Sequence, residues 1–365
     1  MTAPAGLGAR VRDRPAPRVD GIDAARGLAL IGMFVAHVAP VAATPEVAEL
    51  IAIADERPRL LFALTAGFGL GFLTGGTRPV TEGRGVLRRQ LAVRAVILVA
   101  LGLLIAATLH PLVFIILDVY GVAFLVMLPL LFLPARVAVV VGAGLLAVAP
   151  GVATAAQYSQ ELLIARESGP RLLWDWLLTG AYPVIVWVPV MLIGLGLARM
   201  GAADPRVVPR YALAGAITAV VMLPLTRLLP AEADATATPA EHAVSASALA
   251  LGNVGLGLVV VATMVMLTAL ARPAVTRIAG AVLSPVTAMG AMPLTIYTLH
   301  LVVISAAKRV EDGFVTDDSW GLTIGLIAGG MAFAWLWRRF LGRGPLERLL
   351  RAASGRSGAA AGGAD

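Results

Sequence analysis

Long apolar stretches alternate with short, charge-bearing ones along nearly the whole chain. A helix rises 1.5 Å per residue, so about 20 apolar residues cross the roughly 30 Å hydrocarbon core of a bilayer. Ten stretches approach or exceed that length: 24–43, 58–76, 90–109, 112–133, 136–156, 178–199, 208–229, 246–270, 284–307 and 320–341. The expected fold is therefore all-α, a polytopic membrane bundle of about ten transmembrane helices. Residues 1–22 form an N-terminal leader, 23–342 the bundle and 343–365 a C-terminal tail. The Gly/Ala/Ser-rich end of that tail, after Ser354, has the composition of a disordered segment.

The charges orient this bundle. With the N-terminus placed inside, 22 of the 29 basic residues fall in inner segments, and the outer ones keep Arg57, Arg59, Arg166, Arg171, Arg227, Lys308 and Arg309. Acidic residues lean outward, in Glu232, Asp234, Glu241 and again in Glu311, Asp312, Asp317, Asp318. An even number of spans with both termini cytoplasmic satisfies the positive-inside rule. Val41-Ala42-Ala43 resembles a signal cleavage site, but the long basic leader and His37 inside the span favour a retained first helix. Composition agrees with a membrane protein: 59% of residues are hydrophobic and 14% charged, where a soluble domain is nearer a quarter charged. Without cysteine, disulfides, thiolate catalysis and cysteine metal sites are excluded, and no metal is expected. The net charge of +7 does not point to nucleic acid, because the arginines stand at span ends.

Gly67, Gly71 and Gly75 recur every fourth residue in the second stretch. A nucleotide-binding glycine loop needs a preceding strand, which is missing here, so the spacing reads as close helix packing in lipid.

Ionisable groups within spans cost several kcal/mol and normally face a cavity or a partner. On a helical wheel Asp23 lies about 60° from Arg26 and His37 about 20° from it, so one polar face links the inner surface to the outer half about 16 Å away. Asp23–Arg26 reads either as an interfacial ion pair or as part of a binding entrance. His37 reads either as a hydrogen-bonded core residue or as a general base working near neutral pH. Asp118, with Tyr120 close behind, interrupts the fourth stretch at a similar depth. It needs a partner, namely a histidine, Arg227 or a bound ion. His300 stands one turn beyond Tyr297, again towards the outside, while His110 precedes Pro111 at an outer lip and His242 has no assigned role. Pro183 and Pro189 are expected to break the sixth stretch beside Tyr182 and Trp187, as in helices that line cavities.

The frame Asp23-x-x-Arg26-Gly-x-Ala, closed by His37, resembles the first helix of the transmembrane acyltransferase superfamily. That superfamily includes the acyltransferase-3 and heparan-α-glucosaminide N-acetyltransferase-like proteins. LLFALTAGFGLGF, LDVYGVAFLVMLPLL, GAYPVIVWVPVMLIGLGLAR and RRFLGRGPLERLLR resemble the bacterial DUF418/YeiB-like branch. The resemblance implies a multi-pass protein of a bacterial-type plasma membrane, with acyl-CoA, acetyl-CoA foremost, as co-substrate. It puts Asp23 and Arg26 near the acyl-CoA entrance and His37 near the transferred acyl group. Arg88 and Arg89 on the inner rim suit the coenzyme phosphates, although positive-inside charge explains them equally well.

The resulting expectation is transfer of an acyl group from cytoplasmic acyl-CoA to an extracytoplasmic glycan or glycolipid. His37 would act as general base with Asp118 or His300 in support, and Tyr120, Tyr182, Trp187, Arg227 and Tyr297 would line the substrate cavity. The competing readings are a transporter or flippase for a small anion or lipid-linked intermediate, and a bundle without catalysis.

Overall fold

The computed structural model of the chain describes residues 19–40, 44–54, 56–230, 234, 236–311 and 313–355. Most of the leader, the Val41-Ala42-Ala43 motif, Glu232, Asp312 and the end of the tail lie outside the described residues. The described residues are predominantly helical: α1 (Asp20–Val38), α2 (Pro45–Ala52), α3 (Glu56–Leu73), α4 (Arg84–Leu109), α5 (Leu117–Met127), α6 (Ala135–Tyr158), α7 (Gln160–Ser168), α8 (Arg171–Trp174), α9 (Val184–Gly201), α10 (Val208–Leu225), α11 (Pro239–Val265), α12 (Pro273–Val282), α13 (Ser284–Ala291), α14 (Pro293–Ala306), α15 (Trp320–Phe340) and α16 (Pro345–Ala353). A small hairpin, β1 (Arg309–Glu311) and β2 (Phe314–Thr316), joins α14 to α15.

The protein is a multi-pass integral membrane protein. Among the described residues seven helical segments are long and apolar enough to cross a bilayer: α1, α4, α6, α9, Val208–Leu228, Pro239–Leu270 and α15. The pair α12 and α13, bent by 65°, makes an eighth if taken as one. This is fewer than the ten expected, and the reasons are local. The second stretch, α3, opens on Glu56, Arg57 and Arg59. The fourth stretch keeps only the 11 residues of α5, about 16 Å of helix. The ninth is divided between α13 and α14 where Met292 leaves helical geometry (φ −133°, ψ 54°) and Pro293, lacking an amide hydrogen, starts a new helix. The sixth stretch departs in the other direction. Pro183 precedes α9 and Pro189 is carried inside it, so these prolines do not break the helix.

We call the end of the bundle where α1 begins basal and the end where it finishes apical. At the centre stands α3, packed against α1, α9 and α11. A Cβ on Gly67 would lie 2.1 Å from the Met191 carbonyl oxygen, and one on Gly71 2.5 Å from the Ala198 Cβ, so the glycine spacing does bring α3 and α9 together. Gly75 leaves that stripe: it lies beyond α3 with φ +108°. The crossing of α1 and α13 is as close, since a Cβ on Gly290 would come within 1.8 Å of the Asp23 carbonyl oxygen. Around this centre α4, α6, α10 and α15 turn Val96, Leu104, Val140, Val220 and Ile324 outward, the apolar surface a lipid solvent requires.

At the basal end α16 fixes the helix that will matter most. Oε1 of Glu347 accepts from the amides of Leu294 (2.8 Å) and Thr295 (3.1 Å), and its Oε2 accepts from the Thr295 hydroxyl (2.5 Å). A carboxylate at a helix N-terminus satisfies orphan amides and meets the positive end of the dipole. Glu347→Ala is therefore expected to destabilise the protein by about 1–3 kcal/mol, the cost of leaving such amides unpaired. Thermal unfolding of the detergent-solubilised variant checks this, and an unchanged midpoint would show that the cap contributes nothing.

Candidate active site

His37 stands in the last turn of α1 and is half-buried, whereas His300 in α14 is 2% exposed. The two rings stack with centroids 5.3 Å apart, and Nδ1 of His37 lies 3.1 Å from Nε2 of His300. One of these nitrogens carries the hydrogen and the other offers its lone pair. With the hydrogen on His37, the remaining nitrogen of His37 presents a lone pair, the form a general base needs. A positive charge gained there is shared through the bond with His300. Phe34, at 4.8 Å, and the edge of Tyr297, at 4.7 Å, pack on the His300 ring and fix its plane.

Tyr297 also joins this pair to α5. Its hydroxyl accepts the Ile116 amide at 3.1 Å, two residues before Asp118. The partner that the structure gives Asp118 is neither a histidine nor Arg227: its Oδ2 accepts from the indole of Trp176 at 2.8 Å. Oδ1 is buried and makes no hydrogen bond among the described residues. Trp176 sits in a single π-helical turn held by Asp175, which pairs with Arg166 at 2.7 Å. Burial opposes ionisation of Asp175, but the hydrogen bonds from Arg166 and Thr179 outweigh it and hold its pKa below the usual carboxylate value.

Tyr182, Trp187 and Tyr120 form a continuous aromatic chain with centroid separations of 5.8 and 5.1 Å, flanked by Phe114 and Phe62. The Arg59 guanidinium lies 5.5 Å over the Tyr182 ring. Trp187 and Tyr120 are buried in the core, so of the three only Tyr182 is half-exposed. Arg227 stands apart, exposed in the turn after α10, in a groove that contains neither histidine.

At the basal end Arg26 is committed to the protein itself. It donates to Asp23 Oδ1 (3.0 Å), to the Gly290 carbonyl (3.0 Å) and to the Thr65 carbonyl (2.9 Å), tying α1 to α13 and α3. Arg88 bonds the Leu128 carbonyl at 3.1 Å and lies, like Arg84, over the Phe132 ring, while Arg89 is exposed. His110 closes α4 with φ +45°, its carbonyl accepting from Lys308, so it is part of a structural turn. Among the described residues no group of three or more His, Asp or Glu is placed to hold a metal.

Three participants escaped the sequence reading: Trp176, Glu347 and Arg199. Arg199 is buried at the basal end of α9 and donates to the Leu131 and Leu133 carbonyls and to Thr74. The signal for Trp176 was present in Trp174-Asp175-Trp176, an acid between two indoles just before a span.

Residues 18–227 match the family model described as heparan-alpha-glucosaminide N-acetyltransferase, catalytic. Residues 196–357 match a second, described as a protein of unknown function, DUF418. No curated protein matches the chain.

The Asp118–Trp176 contact generates a prediction. Trp176→Phe removes the hydrogen bond, leaves Oδ2 of Asp118 without its donor and lowers the thermal midpoint in detergent, by an amount set by the roughly 1–3 kcal/mol that a buried unsatisfied polar group costs. Asp118→Asn in the Trp176→Phe background should cost less than in the wild type. Additive losses in this double-mutant cycle would mean that the two side chains do not interact.

Proposed function

Since the chain belongs to the heparan-α-glucosaminide N-acetyltransferase catalytic family, and its function is accordingly acetyltransferase-like, we propose that it moves an acyl group, acetyl foremost, from cytoplasmic acyl-CoA to a hydroxyl or amine of an extracytoplasmic glycan or glycolipid. The observation that carries this reading is the 3.1 Å contact between His37 and His300 at the apical end of the bundle.

In this mechanism the free ring nitrogen of His37 takes the proton of the acceptor O–H or N–H. The acceptor oxygen or nitrogen attacks the thioester carbonyl, the carbon–sulfur bond breaks, and the CoA thiolate takes the proton back from the imidazolium. His300 holds His37 in the reactive tautomer and shares the charge it gains, as a second group orients the base in hydrolase triads. Asp118, held by Trp176, supports the histidine pair from α5, while Tyr120, Tyr182, Trp187 and Tyr297 line the wall of the acceptor cavity. Asp23 and Arg26 fix the basal entrance, and Arg88 and Arg89 meet the coenzyme phosphates on the cytoplasmic rim, with both termini on that side. The bundle of residues 23–342 acts as one unit, with a leader and a tail outside it.

One observation favours a second reading. An apical histidine pair and a carboxyl oxygen that has no partner among the described residues are also the components of a proton-coupled transporter. Saturable acyl-CoA binding from the basal side separates the two, because a pure transporter has no use for the coenzyme.

The test is mass spectrometry of envelope glycans and lipids from wild-type, deletion, His37→Ala and His300→Ala strains at matched protein level. One acylated species is expected to vanish on deletion and to fall by about 10²–10⁴ in His37→Ala, the usual contribution of a general base. His300→Ala should show a smaller loss. An unchanged His37→Ala profile would remove the histidine from the mechanism and leave transport as the better account.

A further inference from the structure

A second polar feature lies on the other side of α3. Arg57 and Arg59 are two residues apart, so on a helix they point about 200° from each other. Arg59 faces Tyr182, and Arg57 faces α11, where its Nε donates to Oδ1 of the buried Asn253 at 3.2 Å. There the ends of α3, α10 and α11 enclose a groove of about 310 Å³ lined by Arg57, Leu223, Pro224, Thr226, Arg227 and Leu249.

Two arginines line this groove and, among the described residues, no carboxylate does. Neither Arg57 nor Arg227 forms an ion pair among the described residues. By contrast Arg166, Arg171 and Arg309, also at the apical end, are all paired with acids. The Thr226 hydroxyl is already used on the Leu223 carbonyl (2.7 Å), which leaves the guanidinium groups as the available donors. Two like charges beside apolar walls repel each other and are costly in a medium that excludes water, unless an anion lies between them. The walls are Leu223, Pro224 and Leu249, and Leu225 and Leu228 (83% exposed) continue the apolar surface outward. A guanidinium fork matches phosphate oxygens, and the flanking leucines match acyl chains.

We propose that Arg57 and Arg227 bind the phosphodiester headgroup of an anionic membrane phospholipid, whose chains lie along Leu223, Leu228 and Leu249. Arg57 is the preset half of the clamp, fixed by Asn253, and the exposed Arg227 closes on the phosphate. This site involves neither histidine and stands whether or not the chain transfers acyl groups.

The experiment uses the full-length protein in neutral detergent, with native mass spectrometry after equilibration with phosphatidylglycerol or phosphatidylcholine. Phosphatidylglycerol should be retained as one lipid per protein and in preference to phosphatidylcholine, and Arg227→Gln should reduce its retention by about fivefold, the share of one arginine beside an anionic lipid. Arg57→Gln/Arg227→Gln should abolish the preference, and Arg309→Gln, which alters an apical arginine outside the groove, should retain the lipid as wild type does. Because Arg227 is exposed, Arg227→Gln should keep the wild-type unfolding midpoint in lipid-free detergent. Equal retention of the two lipids, or undiminished phosphatidylglycerol binding in the double variant, overturns the proposal. So does full competition by inorganic phosphate at equal concentration, which would make the groove a site for free anions.

Discussion

Hydrocarbon offers no water to satisfy a polar group, so an ionisable side chain within this bundle needs a partner in the protein or in what the protein binds. Arg26 answers that constraint most completely. Its guanidinium bonds one carboxylate and two backbone carbonyls from three different helices. Removing one partner of such a buried pair typically costs about 3–5 kcal/mol, because the remaining groups stay buried and unpaired. Arg199 repeats the device on α9, with backbone carbonyls and a threonine. Glu347 does the same at the start of α14 with amides in place of carbonyls. The three ties sit at the basal end and hold α1, α3, α9, α13 and α14 in fixed relation.

The apical site inherits its geometry from those ties. His37 and His300 come from helices far apart in sequence, and a contact of 3.1 Å between their rings requires both helix rotations to be set. Arg26 and the Gly290 crossing set α1, and Glu347 with Pro293 sets α14. From there Tyr297 passes the constraint to α5 through the Ile116 amide, which fixes Asp118 against Trp176. A basal cap and an apical histidine pair are thus parts of one mechanical arrangement, although α14 separates Glu347 from His300.

Much of this was readable in the residues, and the rest was hidden for definite reasons. Apolar length and charge bias were enough to identify a multi-pass helical bundle, but they could not count spans where prolines and charges interrupt them. Pro293 divides what hydropathy reads as one stretch, and α12, bent by 65° against α13, lies between two of the stretches, while Pro189 leaves α9 whole. His37, Asp118 and His300 were conspicuous because ionisable groups are rare in spans. Their partners were not, since periodicity gives depth along an axis and says nothing of how neighbouring helices are rotated. The bond between the two histidines, and the choice of Trp176 over a histidine or Arg227 for Asp118, belong to that rotational information. Arg26 was visible, yet two of its partners are backbone carbonyls, which no side-chain pattern encodes.

The account turns on His37 as the group that activates an acceptor towards an acyl thioester. The chain has no cysteine, so CoA thiol release can be followed with a thiol reagent without background from the protein. Full-length protein in lipid nanodiscs, given acetyl-CoA and an envelope extract as acceptor, should release the thiol at a rate that depends on the extract. His37→Ala should remove that dependence while still binding the coenzyme. Extract-dependent release that survives in His37→Ala would contradict the claim and move the chemistry away from the histidine pair.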